Sequence, residues 1–114
     1  MMVISKPPIE SLVDAMVYEQ ISGKDDYQRP TYAEPVTISN VRIDRNTKYT
    51  YTPNGRVLIY NAIIFCYAGL TTPMKEFITE SRVTFGGNEH IITNVLKNYE
   101  PYSGNIYSVE LEVV

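Results

Sequence analysis

The chain has 114 residues, a net charge of -3 and a calculated isoelectric point near 5.1, with its ten Lys and Arg residues scattered along it. That length bounds it to one domain with a modest core, and the missing basic footprint argues against binding nucleic acid on its own. The opening MMVISKPPIE lacks the charged start and long apolar core of a secretory signal, and no apolar run reaches the roughly 18 to 20 residues of a membrane span, so a cytoplasmic protein with no membrane partner is expected.

Residues 1 to 8, ending in Lys6-Pro7-Pro8, read as a loosely held lead-in. From 9 to 21 two periodicities compete. Ile9, Leu12, Val13, Met16 and Val17 fit a helix, whereas Val13, Ala15, Val17 and Ile21 line one face of a strand with Asp14 and Gln20 opposite. Spacing alone favours the helix; Tyr18 and the β-branched residues favour the strand. Residues 23 to 35, GKDDYQRPTYAEP, form a polar loop closed by prolines. Its Asp25-Asp26 pair has no further acid or histidine at ligand spacing and reads as a solvated turn.

In the stretch 36 to 45, VTISNVRIDR, the apolar pair Val36 and Ile38 has opposite parity to Val41 and Ile43. One extra residue near Ser39-Asn40, a β-bulge, restores a single buried face and bends the strand, as a small sheet must bend to curl into a barrel. Residues 46 to 55, NTKYTYTPNG, read as a polar, tyrosine-bearing excursion. The run 56 to 69, RVLIYNAIIFCYAG, is the longest apolar stretch, and its flanking Pro53-Asn54-Gly55 and Gly69 favour one central strand. Val57, Ile59, Ile63 and Phe65 would share one face, and Leu58, Tyr60, Ala62, Ile64 and Cys66 the other. Such a strand needs two covers: the core, and either the following crossover or a neighbouring subunit.

After Gly69 the segment LTTPMKEFITES leaves the sheet, with a helical turn expected around 73 to 78 and Thr72 as its N-cap. Residues 82 to 85 and 89 to 97 read as a hairpin around Gly86-Gly87-Asn88. In the last strand Tyr107, Val109, Leu111 and Val113 alternate with Ser108, Glu110 and Glu112, leaving one face wet. The expected fold class is therefore mainly β: a small curled sheet closing into a barrel of about six strands, with at most one short helix, as a single β-barrel-like domain over 1 to 114.

Chemistry-bearing residues are few. Cys66 is the lone cysteine, so an internal disulfide is impossible and a buried structural thiol is expected. His90 is the lone histidine, with no Gly-x-Ser-x-Gly elbow to accompany it, and a surface or interface role is expected. Glu110 and Glu112 share a strand face, which is ordinary for a solvated strand. No catalytic set, metal site or cofactor is implied. Ten tyrosines stand against three Phe and no Trp; tyrosine suits rims and interfaces, although it is also a good strand former.

Five segments, GKDDY (23 to 27), TYAEPVTISNVRID (31 to 44), GRVLIYNAIIF (55 to 65), RVTFGGNEHIITNV (82 to 95) and YSVELEVV (107 to 114), in this order and spacing resemble the small minor capsid proteins of tailed phages that infect Gram-positive bacteria. The resemblance turns 9 to 21 towards strand. It implies a head-completion, stopper-like head-tail connector: small β-barrel subunits forming a ring below portal and adaptor, closing the DNA exit after packaging and docking the tail. It further implies a structural virion protein with no enzymatic activity, present in the host cytoplasm during assembly. Its partners would be copies of itself, portal or adaptor proteins and tail proteins, while packaged DNA passes nearby without specific binding. On this reading the loop with Asp25, Asp26, Tyr27 and Tyr32 and the loop with Tyr49 and Tyr51 contact neighbours. Residues 70 to 80, with Met74 and Phe77, would approach the lumen or the portal-side partner. The alternative is a small β-barrel module that binds a peptide or small ligand through the same tyrosines.

Overall fold

The structure, a computed structural model, describes residues 6 to 114. A 3-10 turn (Ile9–Ser11) precedes ten strands: β1 (Asp14–Glu19), β2 (Ile21–Lys24), β3 (Pro30–Tyr32), β4 (Val36–Asp44), β5 (Lys48–Thr52), β6 (Gly55–Tyr60), β7 (Ala62–Tyr67), β8 (Arg82–Phe85), β9 (Asn88–Tyr99) and β10 (Ile106–Val113). Six of them close into an antiparallel barrel in the order β1-β4-β7-β10-β9-β8, with β8 returning to β1. The remaining four form two separate two-stranded hairpins, β2–β3 and β5–β6. The expected barrel of about six strands is what forms. Of the expected lead-in, residues 1 to 5 lie outside the described residues. Lys6 Nζ donates to the Ala68 carbonyl at 2.5 Å.

Alternation fills the barrel. Met16 and Tyr18 from β1, Ile38, Val41 and Ile43 from β4, Ala62, Ile64 and Cys66 from β7, Val83 and Phe85 from β8, Ile92 from β9, and Val109, Leu111 and Val113 from β10 are all buried. The competition over 9 to 21 resolves to a strand, and its buried members are the even-numbered Met16 and Tyr18, while Ala15 is exposed and Val17 only half-buried. The apolar face anticipated there, Val13, Ala15 and Val17, is therefore the outer one. Leu12 and Met16 satisfied the helical spacing by coincidence, because a four-residue separation also preserves strand parity.

The bulge in β4 sits where the parity change requires it. Asp14 pairs with Val41 and Ala15 with Ser39, so Asn40 is the surplus residue, with a positive φ of 60°. This places Ile38 and Val41 on the same inner face. Asn is well suited to that left-handed conformation, since its short amide tolerates it and bonds locally. Its Nδ2 donates to the Leu70 carbonyl at 3.2 Å. Buried Thr71 accepts the Tyr67 amide at 2.9 Å and donates to the Asn40 carbonyl at 2.7 Å.

Three sequence expectations are corrected. The run 56 to 69 is not one strand: it breaks at Asn61, whose amide bonds the Val113 carbonyl at 2.7 Å, leaving β6 outside the barrel and β7 within it. The polar excursion over 46 to 55 is in fact β5, paired with β6 in register Tyr49 to Leu58 and Tyr51 to Arg56 across a Thr52 to Gly55 turn. The crossover after β7 holds no helical turn. Thr72 and Ser39 exchange two backbone hydrogen bonds (2.8 and 3.1 Å), which pins the segment as a bridge to β4. The chain then runs across one end of the barrel, burying Phe77 beneath the edge of the Tyr18 ring at 4.9 Å.

Candidate interaction surface

The residues expected to contact partners fall into three unlike settings. In the turn between β2 and β3, Asp25 is a local organiser: Oδ1 accepts the Tyr27 and Arg29 amides at 2.9 Å each, and Oδ2 accepts Arg29 Nε at 3.0 Å. The aspartate folds its own loop in the manner of an Asx turn, and in doing so presents Asp26 and a 79% exposed Tyr27 outward. The Arg29 guanidinium lies 5.1 Å from the Tyr27 ring centroid. Tyr32 is held against the barrel, with the Arg82 guanidinium 4.3 Å from its ring centroid. Arg82 in turn grips Glu19 through two hydrogen bonds of 3.0 and 2.8 Å, and that bonding raises the arginine further above its ordinary value.

The second setting is the β5–β6 hairpin. Cross-strand partners share a face, so Tyr49, Tyr51, Arg56 and Leu58 lie together, with the Arg56 guanidinium 4.3 Å from the Tyr49 ring centroid. Tyr51 is 79% exposed, and Tyr49, Leu58 and Val57 on the opposite face are also exposed. β5 and β6 hydrogen-bond as strands only to each other. A two-stranded hairpin with no third layer is marginal in water, and this one carries clustered apolar side chains on its surface.

The crossover is the third setting, and here the expectation for Phe77 is corrected. Phe77 is 3% exposed and belongs to the core, so it faces inward, while half-buried Met74 packs against that core from outside. The sequence signal was an apolar residue in a polar segment, which does not distinguish a plug facing inward from an anchor facing outward. Outside, the crossover exposes Ile78 beside polar groups: Glu76 pairs with Lys97 of β9, raising the lysine above its ordinary value.

Other chemistry-bearing groups have structural settings. His90 stacks on Phe85 with ring centroids 4.2 Å apart and planes inclined by 7°. Cys66 is fully buried, and loss of solvation pushes its thiol up to about 12. Among the described residues no group of three or more His, Cys, Asp or Glu is arranged to hold a metal ion.

A family model for "Minor capsid protein" matches residues 8 to 113. The chain belongs to this minor capsid protein family. Among similar sequences are an uncharacterized ORF5 protein of Lactococcus phage LL-H, 28% identical over 107 residues covering 91% of each chain, and its namesake in Lactococcus phage mv4, 26% identical over 94 residues covering 80% of this chain and 83% of that one. Membership makes this a structural protein of the phage particle. The matched region takes in all six barrel strands and both hairpins, so the hairpins belong to the family's matched length.

Proposed function

We propose that this minor capsid protein acts at the head-tail interface, where copies assemble into a ring that closes the portal exit and docks the tail. The observation that carries the proposal is the β5–β6 hairpin, an aromatic and apolar element standing outside a barrel whose own strands are all paired. Closure of the barrel leaves no sheet edge available for uncontrolled pairing, so association is directed to the projections. Repeated heterologous contacts of this kind close into rings when the rotation permits. On this reading Tyr27 and Asp26 at one tip and Tyr49 and Tyr51 on the other hairpin meet neighbouring subunits or the portal-side and tail-side proteins. The acidic overall balance of the chain suits a channel through which DNA slides, because tight phosphate binding would oppose its release.

Particles produced without this protein test the proposal. The expected product is filled heads that lose DNA and carry no tails, scored by electron microscopy and by nuclease sensitivity of the packaged genome. Normal tailed particles would sink it.

A further inference from the structure

Charge is unevenly divided between the projecting hairpin and the barrel wall. From Arg45 to Lys75 the chain carries Arg45, Lys48, Arg56 and Lys75 and not one acidic residue, whereas β9, β10 and their turn carry Glu89, Glu100, Glu110 and Glu112 against the single cation Lys97. That lysine is already engaged by Glu76 of the crossover. Among the described residues neither Lys48 nor Arg56 has an anionic partner, and neither Glu110 nor Glu112 has a cationic one; the two glutamates are held instead by Asn98 and Asn94 at 2.8 and 3.1 Å.

The glutamates flank an apolar strip. Across the outer face of the barrel, Glu110 lies opposite Phe65 of β7 on one side and Leu96 of β9 on the other, and Glu112 lies opposite Ile63 and Asn94. Leu96 is 43% exposed, and Ile63 and Phe65 are half-buried on this outer surface, while the crossover covers the barrel end through Phe77. On its β10 side the wall thus offers apolar contact bordered by negative charge, with Arg42 of β4 opposite Phe65 on the other side, and the hairpin offers Tyr49, Tyr51 and Leu58 beside the cation Arg56.

We propose that the β5–β6 hairpin of one copy docks on the outer β7–β10–β9 wall of the next, with Tyr51 and Leu58 against Phe65 and Leu96 and with Arg56, on the same hairpin face, facing Glu110. The contact is head-to-tail, since hairpin and wall are different surfaces of one subunit, and each subunit in a ring uses both once. Charge sets the register and rejects wrong encounters, while the aromatic and apolar groups exclude water. A duplex partner for the hairpin is less well matched, because DNA would satisfy the cations and leave Leu58 and the acidic wall without occupants. The inference rests on the ring reading above and specifies its interface.

Charge reversal in the full chain tests it, with incorporation into particles as the readout. Arg56→Glu and Glu110→Arg should each lower incorporation by about tenfold, the effect of leaving a charge opposed at a contact. The double reversal should recover most of the loss. Thermal unfolding of each isolated variant should stay at the parent value, as both positions lie on the outside of the fold. In parallel, assembling a mixture of Tyr51→Cys and Leu96→Cys chains with a short bis-maleimide linker should yield a covalent pair of this chain. Single reversals that incorporate normally, a double reversal no better than the singles, or Tyr51→Cys chains that link only to another virion protein would overturn the docking. In those outcomes the head-closing role still stands if particles lacking the protein leak DNA, so the two failures are told apart.

Discussion

The β2–β3 hairpin is fastened to the barrel by two side-chain contacts, whereas the β5–β6 hairpin is fastened by its chain ends. Ser81 Oγ accepts the Ile21 amide at 3.0 Å and the Tyr32 ring lies against Arg82, while Ala33 donates to the Gln20 carbonyl at 2.8 Å across the hairpin's own base. For residues 48 to 60 the side-chain hydrogen bonds are confined to the Thr52 turn, and the ring contact joins Arg56 to Tyr49 within the hairpin. The contrast teaches that two projections of similar topology serve different ends. One has its conformation set by its own chain and by the barrel, and the other leaves its apolar surface exposed, the surface the proposed contact would use.

Substitutions sharpen that contrast, and the largest effect should come from the barrel. Ile64→Ala removes a fully buried side chain and should cost about 2–5 kcal/mol in urea unfolding, while Tyr51→Ala should change the isolated chain by no more than about 0.5 kcal/mol. Equal costs would mean that the β5–β6 hairpin is part of the folded core. Alkaline titration gives the next effect. The Cys66 thiol is raised from 9.0 to about 12 in the folded chain, so above pH 9 the unfolded chain ionises first. Its contribution is full below about pH 9 and is lost as the pH rises from there towards 12. The difference in pH slope between the parent and Cys66→Ala isolates it from the tyrosines; matching slopes would show that the thiol is open to water. Ser81→Ala should follow at about 1–3 kcal/mol, because it orphans the Ile21 amide and removes the acceptor of the Tyr18 hydroxyl. That change should also speed proteolysis in the 25 to 29 turn while leaving β5–β6 unaffected. Loss confined to β5–β6 would reverse the assignment of the fastened and free hairpins.

Most of the barrel was legible in the sequence because its strands bury one face, and period-two alternation reports that directly. The parity change around Ser39-Asn40 located the bulge, and Gly86 and Gly87, both with positive φ, located the β8–β9 turn. The division of 56 to 69 was not legible. Val57 and Leu58 are as apolar as Ile63 and Ile64, and an exposed apolar face reads the same as a buried one until its neighbours in space are known. A hairpin signal did exist in the alternating KYTYT before Pro53-Asn54-Gly55, but the threonines and tyrosines resembled a polar loop. At the candidate surface Tyr27, Tyr49 and Tyr51 are exposed. Asp25 sits in the turn its residue type suggested, organised by local bonds to Tyr27 and Arg29, whereas Phe77 did not lie where expected, because its place is set by a tertiary partner, the Tyr18 ring.

Barrel closure also bears on how fast the chain can mature. Val17 of β1 pairs with Thr84 of β8, and Val113 of β10 with Ala62 of β7, so the pairings that close the barrel join segments far apart along the sequence. Topologies dominated by such distant pairs fold in roughly milliseconds to seconds, slower than helical bundles of the same size. During synthesis β7 has no β10 to lie beside, and its apolar inner row of Ala62, Ile64 and Cys66 stays uncovered until the final strand is made. A fold whose strands complete one another only at the end gives newly made chains an interval of exposure, and keeps them unable to present a finished surface to a partner before that interval is over.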